Sequence, residues 1–279
     1  MGEEPKVPVF IRVADEIVAT EKTFVTQMEV LTLVFITPLR ESKILSPSEI
    51  NQIFSNVETL YGFCGNLLGD LEKDQSANPL SNRCERAKRV VLRSGLFEGF
   101  HLRFLYSRKF APFLPNRNVG KIFKQFAPFF KMFTMYLNNY EHAINLKCSL
   151  CDTNAAFNEF VNHAQCDPRC KAMDLNSFLI TPVQRVPRYK LLLEELLKKC
   201  PETEPDYKLL QEAFELTKES AKHNNEMIRQ KEAADEMIAV LNSFIEGTKL
   251  KLENKEFDLV SPGRSFVKGG QLNKVSDRS

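Results

Sequence analysis

LNSFLITPVQRVPRYKLLLEELLKK, residues 175–199, carries an apolar stripe at helical spacing: Leu175, Phe178 and Leu179, Val183, Val186, Leu193, Leu196 and Leu197. Two prolines interrupt it, and each costs about 3 kcal/mol in a helix interior. Pro182 has a local excuse. Thr181-Pro182-Val183-Gln184 has the form of an N-cap, a first-turn proline and a capping-box amide. Pro187 has none, and its presence fits either a helix kinked against its neighbours or a surface bent to match a partner. Ile180, Gln184 and Arg188 fall at i, i+4 and i+8, on one line beside the apolar face. An apolar residue, an amide and a guanidinium in a row suit a protein contact, and they equally suit a solvated flank.

The segments on either side are helical too. Val13, Ile17, Phe24, Met28, Leu31 and Phe35 mark a long helix over 9–39 that Pro38 should end. Ser46-Pro47-Ser48-Glu49 reads as a capping box opening a helix to about Leu71. Short helices are expected over 83–94 and 95–106, and an aromatic one over 119–146 with a kink at Pro128. Asp206 to Glu246 reads as one unbroken helix of roughly 60 Å, striped by Leu210, Phe214, Ala221, Ile228, Ile238, Leu241 and Ile245. The character changes after Gly247, where 264–267 and 271–275 read as short strands around turns. The division expected is a helical domain over 9–247 and the start of a second domain over 248–279.

Composition agrees. The 279 residues are 43% hydrophobic and 27% charged, with 22 Phe and only 11 Gly, a helical rather than an all-β balance. A net charge of +2 lacks the basic excess of a general nucleic-acid binder. No apolar run approaches a membrane span, and the N-terminal residues carry no signal pattern, so a cytoplasmic setting is expected. Four His and no glycine-rich phosphate loop give little support to an enzyme, and no cofactor is expected. The basic residues Arg83, Arg86, Lys88, Arg89 and Arg93 suit a solvated face or an anionic lipid surface.

Seven Cys without a secretion signal read as reduced thiols. Cys148, Cys151, Cys166 and Cys170, with His163 nearby, have the spacing of a zinc site. The stretch between the pairs reads instead as an amphipathic helix through Ala156, Phe157, Phe160 and Val161, with no glycine knuckles, so no metal is expected.

TPVQRVPRYKLLLEEL also resembles the signature helix of the Dbl-homology domain of Rho-family guanine-nucleotide exchange factors. Two more segments agree in order. EIVATEKTFVTQMEVL (16–31) is similar to that family's first-helix motif, and VGKIFKQFAPFFKMFTMYLNNYEHA (119–143) to its second. HNNEM at 223–227 fits its final helix, and LVSPGRSFVKGGQLNKV (259–275) is similar to the first strands of a pleckstrin-homology domain.

The resemblance implies an all-α, elongated multi-helix bundle that binds the switch regions of a Rho-family GTPase and promotes GDP release without covalent chemistry. It places a switch I contact on Glu21, read as a surface carboxylate. It places further contacts on Gln184, Arg188 and Asn225, and partner selectivity on Ile180, whose Ile favours Rac-like GTPases. Arg185 is expected to bond between helices. Thr181 stands where many members have Lys, which keeps a non-exchanging GTPase binder as a competing reading, and the basic residues at 83–93 keep a helical scaffold at membranes as another. The rest of the pleckstrin-homology domain would supply contact with phosphoinositide membranes, and recruitment to the membrane periphery or cytoskeleton.

Overall fold

A computed structural model of the chain describes residues 9–77 and 117–243 and the strand residues 251–252 and 255–256. It divides into two units, residues 1–224 and 225–279. The helices expected over 83–106, the basic residues at 83–93 and the strands expected at 264–275 lie outside the described residues.

The first unit is built on α1 (Val9–Val30), whose Ile11, Ala14, Ile17, Phe24 and Met28 are buried. Pro38 was expected to end this helix. The chain instead passes through a π-helical turn, Leu31–Ile36, into α2 (Thr37–Ser42). The Thr37 N–H reaches back five residues to the Thr32 carbonyl, and this wider turn accommodates the proline that follows. Lys43, in the left-handed region at φ 55°, ends α2.

Helix α3 (Pro47–Phe54) opens on the expected capping box. The Ser46 hydroxyl accepts from the Glu49 N–H, and the Glu49 carboxylate accepts from the Ser46 N–H at 2.7 Å. Ser55, at φ 49° and ψ −128°, separates α3 from α4 (Val57–Ala77), where a single helix was expected. Next come α5 (Val119–Phe126), a 3₁₀ turn at Ala127–Met132 and α6 (Phe133–Thr153). Pro128 thus sits in the tighter turn rather than at a simple kink. They are followed by α7 (Ala155–Gln165), a short 3₁₀ turn, α8 (Leu175–Leu179), α9 (Thr181–Lys199) and α10 (Tyr207–Ser243). Within this unit α1 packs on α4 and α9, α3 and α9 pack on α6, and α4 packs on α5. Rings of Phe63, Phe123, Phe126, Phe130 and Phe133 interlock between α4, α5 and α6. In the second unit Lys251–Leu252 pairs antiparallel with Lys255–Glu256.

The buried stripe of α10 differs from the expected one. Its inward residues in the first unit are Leu210, Ala213, Thr217, Ser220 and Asn224, while Phe214 and Ala221 are half-buried. The polar members have work there. In the 3₁₀ turn the Phe130 carbonyl already accepts from the Phe133 N–H, and a carbonyl has a second lone pair for a donor from outside the turn. The Ser220 hydroxyl donates to Ala127 O at 2.9 Å, and the Asn224 amide donates to Phe130 O at 3.2 Å. Thr134 donates to the Asn224 side-chain oxygen at 2.7 Å. In the second unit Ile238 is 45% exposed.

Two contacts set the start of α5. Arg117, buried, ion-pairs with Asp15 of α1 and lies 3.8 Å from the Asp74 carboxylate of α4. Asp206, just before α10, accepts from the N–H groups of Gly120 at 2.5 Å and Lys121 at 3.0 Å, capping α5 from outside its own strand of sequence. Gly120 is required there, because a Cβ on it would lie 2.3 Å from the Leu210 nitrogen. Gly120→Ala should therefore lower stability by about 1–3 kcal/mol, the reverse of the usual gain in helix propensity, as read from urea denaturation.

Burial, with smaller contributions from Asp74 and Glu204, pushes the Asp206 carboxyl up to about 6 against the two N–H groups that hold it down. The folded chain then keeps a proton at Asp206 that the unfolded chain has lost above about pH 4. This contribution to stability is lost as pH rises through about 6. The stability difference between the native chain and Asp206→Asn should shift against the native chain over that window, as measured by denaturation at pH 4.5, 5.5 and 6.5.

Candidate functional site

The segment 175–199 folds as one near-continuous helical rod. Asp174 caps α8 by accepting from the Ser177 N–H at 2.8 Å. Ile180 keeps helical angles, φ −74° and ψ −20°, so α8 runs directly into α9. Thr181 was expected to cap α9 and does not. Pro182 cannot donate to the Phe178 carbonyl, and the Thr181 hydroxyl donates there instead at 2.7 Å. The next carbonyl, Leu179, accepts from the Tyr136 hydroxyl at 2.7 Å. Pro187 lies inside α9 on its exposed side, where the carbonyl it leaves unpaired can be hydrated.

This rod holds Ile180 half-buried and Gln184 and Arg188 exposed, on one line. Among the described residues no hydrogen bond or ion pair engages the Gln184 or Arg188 side chain. Leu191 continues the same line at i+11 and is 62% exposed. The sequence reading passed over it, because it sits inside the run LLLEELL. Its place off the Val186–Leu193 stripe was the available signal. A large apolar side chain held in water beside an unpaired guanidinium is the composition of a contact centre.

The inward side of α9 carries the correction. Glu21 is not a surface carboxylate: it is fully buried. It stands four residues after Ile17 and three before Phe24, on the core face of α1. It forms an ion pair with Arg185, itself 3% exposed, and accepts from the Tyr189 hydroxyl at 2.7 and 2.9 Å. Lys22, its neighbour, pairs with Glu72 instead. The Arg185 guanidinium lies over the rings of Phe24 and Tyr189 at 5.1 and 4.4 Å. Arg185 thus bonds between helices, as expected. Cys64 of α4 closes the cluster, its sulfur 3.8 Å from the Tyr189 hydroxyl.

The electrostatics follow from burial. Burial raises the Glu21 carboxyl, opposed by the Arg185 charge and the bonds from Tyr189 and Arg185. Burial works to lower Arg185, but Tyr189 and Glu21 outweigh it and hold the guanidinium charged. Burial also raises Tyr189 and Cys64, so hydroxyl and thiol keep their protons.

Asn225 falls in the second unit and is exposed on α10, one residue after buried Asn224. The helix expected between the cysteine pairs is α7, with the Asn154 side chain accepting from the Phe157 N–H at 3.1 Å. Cys148 and Cys166 are exposed and Cys170 is buried, and among the described residues no group of three or more His, Cys, Asp or Glu is placed to hold a metal. Also among those residues, no helix is long and apolar enough to cross a membrane.

A family model for the RhoGEF domain matches residues 13–225. The chain is 28% identical over 267 residues to the Myosin-M heavy chain of Dictyostelium discoideum, covering 96% of this chain and 13% of that protein. It is 28% identical to human FYVE, RhoGEF and PH domain-containing protein 3, covering 96% of this chain and 31% of that one. The chain therefore spans about a third or less of the length of these two curated relatives. Among solved structures, an activated truncation of Vav1 aligns at a TM-score of 0.66 and 19% identity, over 85% of this chain and 51% of that one. The DH domain of FARP2 aligns at 0.59 and 21%, over 84% and 97%. A DH/PH fragment of PDZ-RhoGEF, solved in complex with human RhoA, aligns at 0.59 and 19%, over 81% and 56%. At these identities the structural likenesses establish the fold.

The buried pair has a direct test in denaturation. Glu21→Ala leaves a guanidinium buried without its counter-charge and should cost about 3–5 kcal/mol. Adding Arg185→Met to Glu21→Ala should recover part of that loss, a double-mutant cycle with strong coupling. A loss under about 0.5 kcal/mol, usual for a surface side chain, would place Glu21 outside the core.

Proposed function

The chain belongs to the RhoGEF-domain family, and we propose that it is a guanine-nucleotide exchange domain that binds a Rho-family GTPase and speeds release of GDP so that GTP can load. The observation that carries this reading is the unengaged row Ile180, Gln184, Arg188 and Leu191 on a helix anchored from behind. The RhoA complex of the PDZ-RhoGEF fragment supports the class of partner.

No bond to the protein need form. A GTPase holds its nucleotide through phosphate contacts and a bound Mg²⁺. A platform that prefers the nucleotide-free form lowers nucleotide affinity by the same factor, by linkage. Gln184 and Arg188 supply an amide and a fixed charge, and Ile180 and Leu191 the apolar flanks. Glu21, being buried, contributes through α9 rather than by touching the partner. Asn225 enters as a further contact on the strength of the resemblance at HNNEM and its exposure.

The finer reading is a preference for Rac-like GTPases, argued from Ile180. Ile and Leu differ only in where they branch, and shape discrimination of that kind is worth roughly 1–3 kcal/mol at best. Membrane recruitment belongs to the same proposal. It rests on the pleckstrin-homology resemblance of 259–275, with lipid contact supplied by chain beyond these residues.

GDP release from a panel of Rho-family GTPases, followed with a fluorescent nucleotide, tests all of this. Rac-like members should respond best, and Ile180→Leu should shift the response toward Cdc-type members. Arg188→Ala should slow exchange at least tenfold, about 1.4 kcal/mol, with an unchanged melting temperature because the side chain is exposed. Binding without acceleration across the panel would favour the non-exchanging reading that Thr181 keeps open.

A further inference from the structure

Gln184 and Arg188 each have an inward neighbour, Arg185 and Tyr189, and consecutive helical residues point about 100° apart. The outward pair therefore aims wherever the inward pair is held. Tyr189 is held from every side. Its ring stacks on Phe130 at 4.8 Å and 15°, meets Phe123 edge-on at 5.5 Å, and lies under the Arg185 guanidinium. These ring contacts fix the depth of α9 but tolerate some rotation about its axis. The hydroxyl does not: it donates to the Glu21 carboxylate, fixed in turn by Arg185 and by its place on α1, with the weaker Cys64 sulfur at 3.8 Å beside it.

We propose that Tyr189 is a positioning residue for exchange: its hydroxyl, docked on Glu21, sets the rotation of α9 and so aims Gln184 and Arg188 at the GTPase. The inference rests on the exchange function proposed above. Binding constellations tolerate errors of only about 10–20°, and a misplacement of about 1 Å can cost a hundredfold. Tyr189→Phe keeps the ring and removes only the tether, so a loss of about tenfold is expected.

The test is a kinetic double-mutant cycle of Tyr189→Phe with Arg188→Ala, using the whole chain and a GTPase on which the native chain is active. Exchange rate is recorded against chain concentration to separate the plateau from half-saturation, with melting temperatures in parallel. Tyr189→Phe should lower the plateau rate about tenfold in protein that is fully folded at the assay temperature. In the Arg188→Ala background the same change should cost clearly less than tenfold, because one of the two side chains being aimed is gone. Additive losses in the two backgrounds, or a loss matching the unfolded fraction, would reduce Tyr189 to a packing residue. Should Tyr189→Phe not fold, Phe130→Leu removes the stacking partner and leaves the hydroxyl docked on Glu21: folded Phe130→Leu should keep close to the native plateau rate, and a tenfold loss there would show that ring packing rather than the hydroxyl aims α9. A native chain inactive on every GTPase would overturn the exchange reading itself, which the cycle alone would not.

Discussion

A carboxylate and a guanidinium lie together in the core of the first unit, and most of the arrangement of α1 and α9 follows from keeping them satisfied. Removing both from water costs several kcal/mol per ion. Glu21 recovers this through Arg185 and the Tyr189 hydroxyl, and Arg185 through Glu21 and two aromatic faces. The recovery is incomplete, since among the described residues Arg185 Nε has no hydrogen-bond partner. A pair of leucines would fill the space at less risk. What the ions add is geometry: apolar contacts between helices slide and rotate at small cost, whereas this cluster is satisfied in one register of α9 against α1 and α4.

The same logic governs the backbone. Three prolines, Pro128, Pro182 and Pro187, remove donors from helical runs, and the π and 3₁₀ turns redistribute others. Each buried carbonyl left over needs a donor from elsewhere. Ser220 and Asn224 serve the 3₁₀ turn, Thr181 serves Phe178, and Tyr136 serves Leu179. On the buried sides these bonds are contacts between segments or across a turn, whereas Pro187 lies on the exposed side of α9.

This explains which parts of the structure were legible in the sequence. The helices of 9–30, 47–54, 155–165 and 175–199 follow from local periodicity and capping, and the Ser46–Glu49 box could be named outright. Glu21 was misplaced although its spacing from Ile17 and Phe24 put it on the core face; polarity was allowed to outweigh position. The buried stripe of α10 was missed because Ser220 and Asn224 answer carbonyls some ninety residues away and Thr217 bonds back to the Ala213 carbonyl within the helix, which no hydrophobic count can register. The row Ile180, Gln184 and Arg188 was readable from spacing, but Leu191 became distinctive only once its exposure was known.

Along α9 and α10 the residues proposed for partner contact each follow or precede an anchor: Gln184 beside Arg185, Arg188 beside Tyr189, and Asn225 beside Asn224. In each pair one side chain is buried and hydrogen-bonded while its neighbour is exposed. Exposed charges elsewhere on α10, such as Arg229 with Glu226 and Lys231 with Asp235, pair along the helix surface and contribute little to stability. An exposed side chain without an anchored neighbour would lose much of its binding energy to conformational freedom. Placing the anchor one residue away puts the contact at the edge of the buried face. Under the exchange function proposed above, a contact held beside a buried anchor is the physical requirement, and consecutive inward and outward residues meet it with the backbone of a single helical turn.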